Sequence, residues 1–270
     1  MKNKELKIGL ALGSGGFRGL SHIGVLKVLE ENGIKISYLS GSSIGGLVAA
    51  YYAVFNDVKR LEEEVETWPM DHLYKFIDLS WTGGIITGNK FTNFLKKKFG
   101  DLNFSATKIP LKILTTNLID GQPTILSSGK LIEAVRATVS VPLMFKPFKK
   151  EKKLLVDGAL SSPVPLNVLK EMGADILIGV NLYHKNEFVS RKFTMPKVAL
   201  RSTRIVLYNL AKNDIRQADV AICPDTSSII TNESLKKYNL ATVKKLIQIG
   251  EESARKALPE IKAMLAREIK

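Results

Sequence analysis

The stretch Leu39-Ser40-Gly41-Ser42-Ser43-Ile44-Gly45-Gly46-Leu47-Val48 sets two serines among glycines, between an apolar run and a helix-like one. Gly41, Ser43 and Gly45 fit G-x-S-x-G, the pattern of a sharp strand-to-helix turn that lifts a serine hydroxyl clear of a sheet. Glycines two places either side let strand and helix approach closely while the central residue takes a strained backbone. Two readings stand. The turn is simply too tight for side chains, or Ser43 is a nucleophile at the N-terminus of the next helix, where free amides and the dipole favour developing negative charge. Three small residues recur by chance in many chains; the β-like run before and the helical run after give the pattern its weight.

Working outward, Leu6–Leu12 is a continuous apolar run that ends in glycines, as expected of a strand buried on both faces. Arg18–Gly33 carries Leu20, Ile23, Leu26 and Leu29 at helical spacing, with Gly33 as the stop signal. Ile36–Gly41 reads as a second strand and Ile44–Phe55 as a second apolar helix. Strand–helix–strand–helix order predicts an α/β fold with a largely parallel sheet. Further on, 58–68 and 90–100 read as helices, and 72–90 as an irregular segment whose apolar side chains line a pocket or cap the core. Ile109–Gly129 reads as strand, Asp-Gly turn and strand. Lys130–Pro142 is a helix stopped by Pro142, and Lys152–Leu160 a strand that breaks at Asp157-Gly158. Val164–Tyr183 gives a helix, a stop at Gly173 and a buried strand; about 194–219 is helical, and Asp219–Asp225 is a last strand. The basic tail, 235–270, alternates apolar and basic residues at helical spacing and is expected to break near Pro259. No repeat or linker divides the chain, so a single domain over 1–270 is expected, with its motif-bearing core at about 8–225.

Composition narrows the classes. The 270 residues are 45% hydrophobic, far from disordered composition. A single cysteine, Cys223, excludes an internal disulfide and favours a reducing compartment. The N-terminal apolar run is too short for a signal peptide and reads as a strand. No window supplies the roughly 18 apolar residues of a membrane span, so a cytoplasmic protein is expected. Forty Lys and Arg against 26 Asp and Glu leave a net charge of +14, which suits nucleic acid, an anionic membrane surface or merely a solvated basic surface.

The glycine loop Gly13-Ser14-Gly15-Gly16-Phe17-Arg18-Gly19 closes the first predicted strand. It is a poor dinucleotide loop, because Arg18 stands where the third glycine belongs, and it has no Gly-Lys-Ser/Thr ending for a P-loop. Bare amides ahead of a helix do suit an oxyanion, the charge that acyl transfer places on a former carbonyl oxygen. Arg18 would add positive charge or pin the loop. Val156-Asp157-Gly158-Ala159 is ordinarily a turn, yet a serine nucleophile needs a base, and the chain has only three histidines. His22 falls on the first helix near its apolar face, which suits a supporting role, and His72 lies in the irregular segment. His184 follows a strand, and the order Ser43, Asp157, His184 is that of an α/β-hydrolase triad. No cluster of His, Cys and carboxylates suggests a metal.

The pieces "GSGGFRG", "GSSIG" and "DGA", in this order and on these elements, resemble the patatin-like phospholipase family, its small bacterial members especially. The resemblance runs from about Ile8 to Asp225. It implies a three-layer α/β/α fold, and a serine acyl hydrolase of lipid esters that uses a Ser-Asp dyad without a catalytic histidine or cofactor. Carried over, Ser43 is the nucleophile in an elbow held by Gly41 and Gly45, Asp157 is the base, and Gly15 and Gly16 form the oxyanion hole with Arg18 in support. Ser14 departs from the glycine of the plant proteins, which matters only if that position needs a positive φ. The implied partner is a lipid ester, phospholipid or lysophospholipid. Residues 76–88 and 141–148 are candidate walls of an acyl channel or plain core packing. The basic tail either lies on an anionic membrane or packs on the domain. A non-catalytic lipid-binding or partner-binding protein of the same fold, and a Ser43-Asp157-His184 esterase, remain as alternatives. Basic clusters without interleaved aromatics argue against nucleic acid.

Overall fold

The computed structural model describes residues 6–67, 86–185, 194–227, 229 and 239–267. Its centre is an eight-stranded mixed sheet. The strands are β1 (Ile8–Leu12), β2 (Ile36–Ser42), β3 (Leu111–Asn117), β4 (Pro123–Leu126), β5 (Phe148–Lys150), β6 (Lys153–Asp157), β7 (Ile176–Val180) and β8 (Val220–Ile222). Five of them, in the order β3-β2-β1-β7-β8, run parallel; β4 and β6 pair antiparallel with β3, and β5 with β6.

β1 shows why the sheet is covered on both sides. Successive residues point to opposite faces, so Leu10 and Leu12 enter one core cluster while Ala11 enters the other. The first cluster is closed by α1 (Ser21–Glu31), α2 (Ile44–Phe55), α3 (Val58–Glu66), α4 (Asn89–Phe99), α5 (Leu131–Thr138) and α8 (Leu240–Arg267). The second lies under α6 (Leu166–Glu171) and α7 (Met195–Ile215). The chain is therefore the three-layer α/β/α sandwich expected of it.

Three local readings change. The helix at 131–138 ends well before Pro142, at Thr138. Residues 148–157 form a hairpin of two strands whose turn carries Glu151 at φ 54; the earlier strand, β5, is too short and too charged to signal itself. α8 runs through Pro259 without breaking. Buried Ala254, Ala257 and Ile261 hold both sides of that proline against the core, offsetting its lost N–H bond. The tail helix thus packs on the domain: Gly24 of α1 lies against the α8 backbone at Ile247, and Arg255 reaches Glu31 at 3.1 Å. Of the candidate acyl channel, 76–85 lies outside the described residues.

Candidate active site

Ladder partners show how two distant segments meet. Leu114 pairs with Ser42 on one edge and Ile125 on the other; Thr115 pairs with Asp157 and Thr124. β4 holds one edge of β3 from Ile113 to Thr116, so β2 and β6 share the opposite edge, running towards each other and meeting end to end between Leu114 and Thr115. The carboxyl ends of both strands, Ser42 and Asp157, are forced together at that junction. Gly158 is required there, since a Cβ would collide with the Leu114 carbonyl and come within 2.9 Å of Ser42 Oγ.

Ser43 follows with φ 56 and ψ −127, a backbone region that side chains disfavour. The elbow around it is crowded as its glycines require. A Cβ on Gly41 would lie 2.6 Å from Gly46 Cα, and one on Gly45 would strike the Leu12 carbonyl. Ser43 N–H donates to Thr138 Oγ1 at 2.8 Å, and Thr138 in turn donates to the Leu114 carbonyl at 2.5 Å. α2 begins at Ile44, so the Ser43 side chain stands at a helix N-terminus.

Ser43 Oγ donates to Asp157 Oδ2 at 2.6 Å, and both residues are buried. The other carboxylate oxygen, Oδ1, accepts the Ala159 N–H at 2.8 Å. Asp157 N–H donates to the Ser140 carbonyl at 3.0 Å and Thr116 Oγ1 to the Asp157 carbonyl at 3.0 Å, so backbone and side chain are both fixed. Burial pushes the carboxyl up to about 6; the bonds from Ser43 and Ala159 oppose that rise without cancelling it.

The glycine loop lies against the same elbow. Gly19 packs on the Ile44 side chain, and Gly45 approaches the Gly13 carbonyl. Gly13 and Ser14 spend their amides on the Val180 and Pro163 carbonyls. Ser14 lacks a positive φ, so a glycine there is not demanded, and its hydroxyl pairs with Tyr183 Oη at 3.0 Å. Gly16 has φ 59 with open space where a Cβ would project. Arg18 is buried. Its Nε donates to the Gly15 carbonyl at 2.9 Å, its Nη1 to the Leu182 carbonyl at 2.8 Å, and the guanidinium stacks on Tyr183 at 4.9 Å. Because a trans peptide opposes its C=O and N–H, anchoring the Gly15 carbonyl turns the Gly16 N–H the other way.

Each histidine has its own place. His22 is fully buried and its Nε2 donates to the Gly13 carbonyl at 2.7 Å, supporting the loop from behind. Burial pulls it down to about 4, so the ring is neutral at pH 7. His184 donates Nε2–H to the Pro224 carbonyl at 2.5 Å, while the two oxygens of Asp157 are engaged by Ser43 and Ala159. His72 lies outside the described residues. Sequence reasoning missed Thr138 and Ser140, whose contacts exist only once β3, β6 and α5 are assembled; Ala159 enters it only as part of the Asp-Gly-Ala turn, and its bond to Asp157 is local to that turn.

A strained serine at a strand-to-helix elbow, bonded directly to a buried carboxylate on an α/β sheet, defines the class of serine-carboxylate α/β proteins. The patatin-like phospholipase family model matches residues 10–170, and the chain belongs to that family. Lysophospholipase nte1 of Aspergillus fumigatus is 33% identical over 179 residues, covering 65% of this chain and 12% of that protein. Lysophospholipase NTE1 of Yarrowia lipolytica is 31% identical over 183 residues, with the same coverages. The chain thus spans about an eighth of the length of these curated relatives. Among solved structures, VipD from Legionella pneumophila superposes with a TM-score of 0.61 at 13% identity, over 94% of this chain and 66% of that one. The type III effector protein ExoU superposes with a TM-score of 0.50 at 13% identity, over 99% and 54%. These likenesses concern the fold.

Proposed function

We propose that the protein is a serine acyl hydrolase that cleaves carboxylic ester bonds of lipids through a Ser43-Asp157 dyad. The observation that carries this reading is the 2.6 Å bond between Ser43 Oγ and Asp157 Oδ2 at the elbow. Ionised Asp157 takes the hydroxyl proton as Ser43 Oγ attacks the ester carbonyl carbon. The carbonyl π electrons move to its oxygen, and the amides at Gly15 and Gly16 stabilise that oxyanion, with Arg18 fixing the loop that presents them. The intermediate collapses, the C–O bond to the alcohol breaks, and Asp157 returns the proton to the leaving oxygen. Water, deprotonated by Asp157, then attacks the acyl-enzyme and releases the fatty acid and Ser43. With a carboxyl near 6, Asp157 is ionised at neutral pH yet basic enough to accept a proton in the transition state.

Phospholipids or lysophospholipids are the substrate class, in line with the names of the curated relatives. Lone Cys223 fits a reducing compartment, so the protein is read as cytoplasmic and meets lipid at the inner membrane face. The chain is read as the single domain over 1–270, in keeping with the packing of α8 into the core. No step calls on a cofactor or on His184. Hydrolysis of p-nitrophenyl butyrate and of lysophosphatidylcholine by wild type, Ser43→Ala and Asp157→Asn tests the dyad. Both variants are expected to be inactive with native circular dichroism; turnover by Ser43→Ala at the wild-type rate refutes it.

A further inference from the structure

Nine large apolar side chains are exposed among the described residues, and four of them lie on the two loops that leave β3 and Ser140. Leu118 and Ile119, 52% and 69% exposed, form the turn directly after β3. Leu143 and Met144, 70% and 51% exposed, occupy the loop that follows Ser140, the residue whose carbonyl accepts the Asp157 N–H. Leu143 is held outward at φ 67, a conformation that costs a leucine energy and does nothing to bury it. The β5–β6 hairpin connects the two: Leu118 N–H donates to the Leu154 carbonyl, and β5 begins four residues after Met144.

That hairpin is cationic. Lys149, Lys152 and Lys153 are exposed, and Lys146 is half-buried beside them. Glu151 and Asp120 are the exposed carboxylates of this edge, while Glu133 is bonded to Lys150 at 2.8 Å. Apolar tips flanked by lysines are the pattern of a surface that inserts side chains below a phosphate layer and sets ammonium groups at its level.

We propose that Leu118, Ile119, Leu143 and Met144, with Lys149, Lys152 and Lys153, form the surface by which this protein docks on an anionic phospholipid bilayer. The assignment deepens the lipid-hydrolase reading and rests on it for the choice of a bilayer. An ester bond lies at the boundary between headgroups and acyl chains, so a site that cleaves it gains from apolar tips and cations placed around its own mouth.

The test is flotation of full-length Ser43→Ala protein, which leaves the lipid intact, with vesicles of phosphatidylcholine containing 30 mol% phosphatidylglycerol. Leu118→Ser/Ile119→Ser is expected to lower the partition coefficient about tenfold or more, since both tips lose the apolar surface they would bury in the acyl layer. Lys149→Glu/Lys152→Glu/Lys153→Glu is expected to abolish the preference for phosphatidylglycerol over pure phosphatidylcholine. Unchanged melting temperatures separate docking from folding. Wild-type-like partitioning by both variants, or no vesicle binding by the parent at low salt, overturns the proposal; an acidic protein partner would then be the occupant to seek. Turnover of soluble p-nitrophenyl butyrate by the wild-type chain reads the hydrolase separately: its loss sinks the hydrolase reading while vesicle binding persists, and failed docking leaves it intact.

Discussion

Asp157→Asn is expected to make the protein inactive and more stable. The carboxyl normally titrates at 3.8 and burial raises it to about 6 in the folded chain. The folded state therefore holds the proton more tightly than the unfolded one. As pH climbs through that window the unfolded chain sheds its proton first, and the fold carries an increasing penalty. At about 1.4 kcal/mol per tenfold, the penalty reaches about 3 kcal/mol at pH 7 and falls below about 1 kcal/mol at pH 4. Asparagine removes the charge and keeps the geometry, since its oxygen accepts the Ala159 N–H and its NH2 donates to Ser43 Oγ. Urea unfolding of wild type and variant at pH 7.5, 5.5 and 4 measures the gap. His22, drawn down to about 4, weakens both proteins equally in acid and cancels in the difference. A variant less stable than wild type at pH 7.5, or a gap that does not shrink with falling pH, would refute the claim that burial of a charged Asp157 is what the fold tolerates for the sake of its site.

The same carboxyl sets the acid limb of activity: kcat/KM for a soluble ester should rise through about pH 6 and level off above it, measured between pH 4.5 and 8. Arg18→Lys loses the fork that spans the Gly15 and Leu182 carbonyls, and kcat should fall about ten- to a hundredfold while the far-ultraviolet spectrum is kept. Thr138→Val leaves the buried Ser43 N–H and Leu114 carbonyl unpaired, so urea titration should show a loss of about 1–3 kcal/mol. His184→Ala should keep most of its ester turnover, because that ring is bonded to Pro224; an inactive, folded His184→Ala protein would restore the triad.

Local features were legible and assembled ones were not. Ser43 with Gly41 and Gly45 could be read because a tight elbow is a contact between residues a few places apart, and it imposes small residues on a short window. The same holds for the glycine loop and for the strand–helix alternation that gave the parallel core. Asp157 carried only the weak signal of an Asp-Gly turn, and its place became readable through the family resemblance. Thr138 gave no signal, since a threonine in a short helix is ordinary until that helix is laid against Ser43 and β3. Strand β5 stayed hidden because three residues with two lysines, paired on one side and exposed on the other, obey no hydrophobic period. The role of Arg18 as an anchor of the Gly15 carbonyl was one of two open readings, and only the fold separates them.

The head-on meeting of β2 and β6 also bears on synthesis. Serine and aspartate are 114 residues apart in the chain, and the carboxylate reaches the hydroxyl only after β3 has been laid beside β2 and β6 has closed on the free half of its edge. A nascent chain that has released its first helices has the elbow but no base. Until Asp157 has been translated and β6 has closed on β3, Ser43 has the strained elbow without its carboxylate partner, so the paired site comes into being only with the finished sheet.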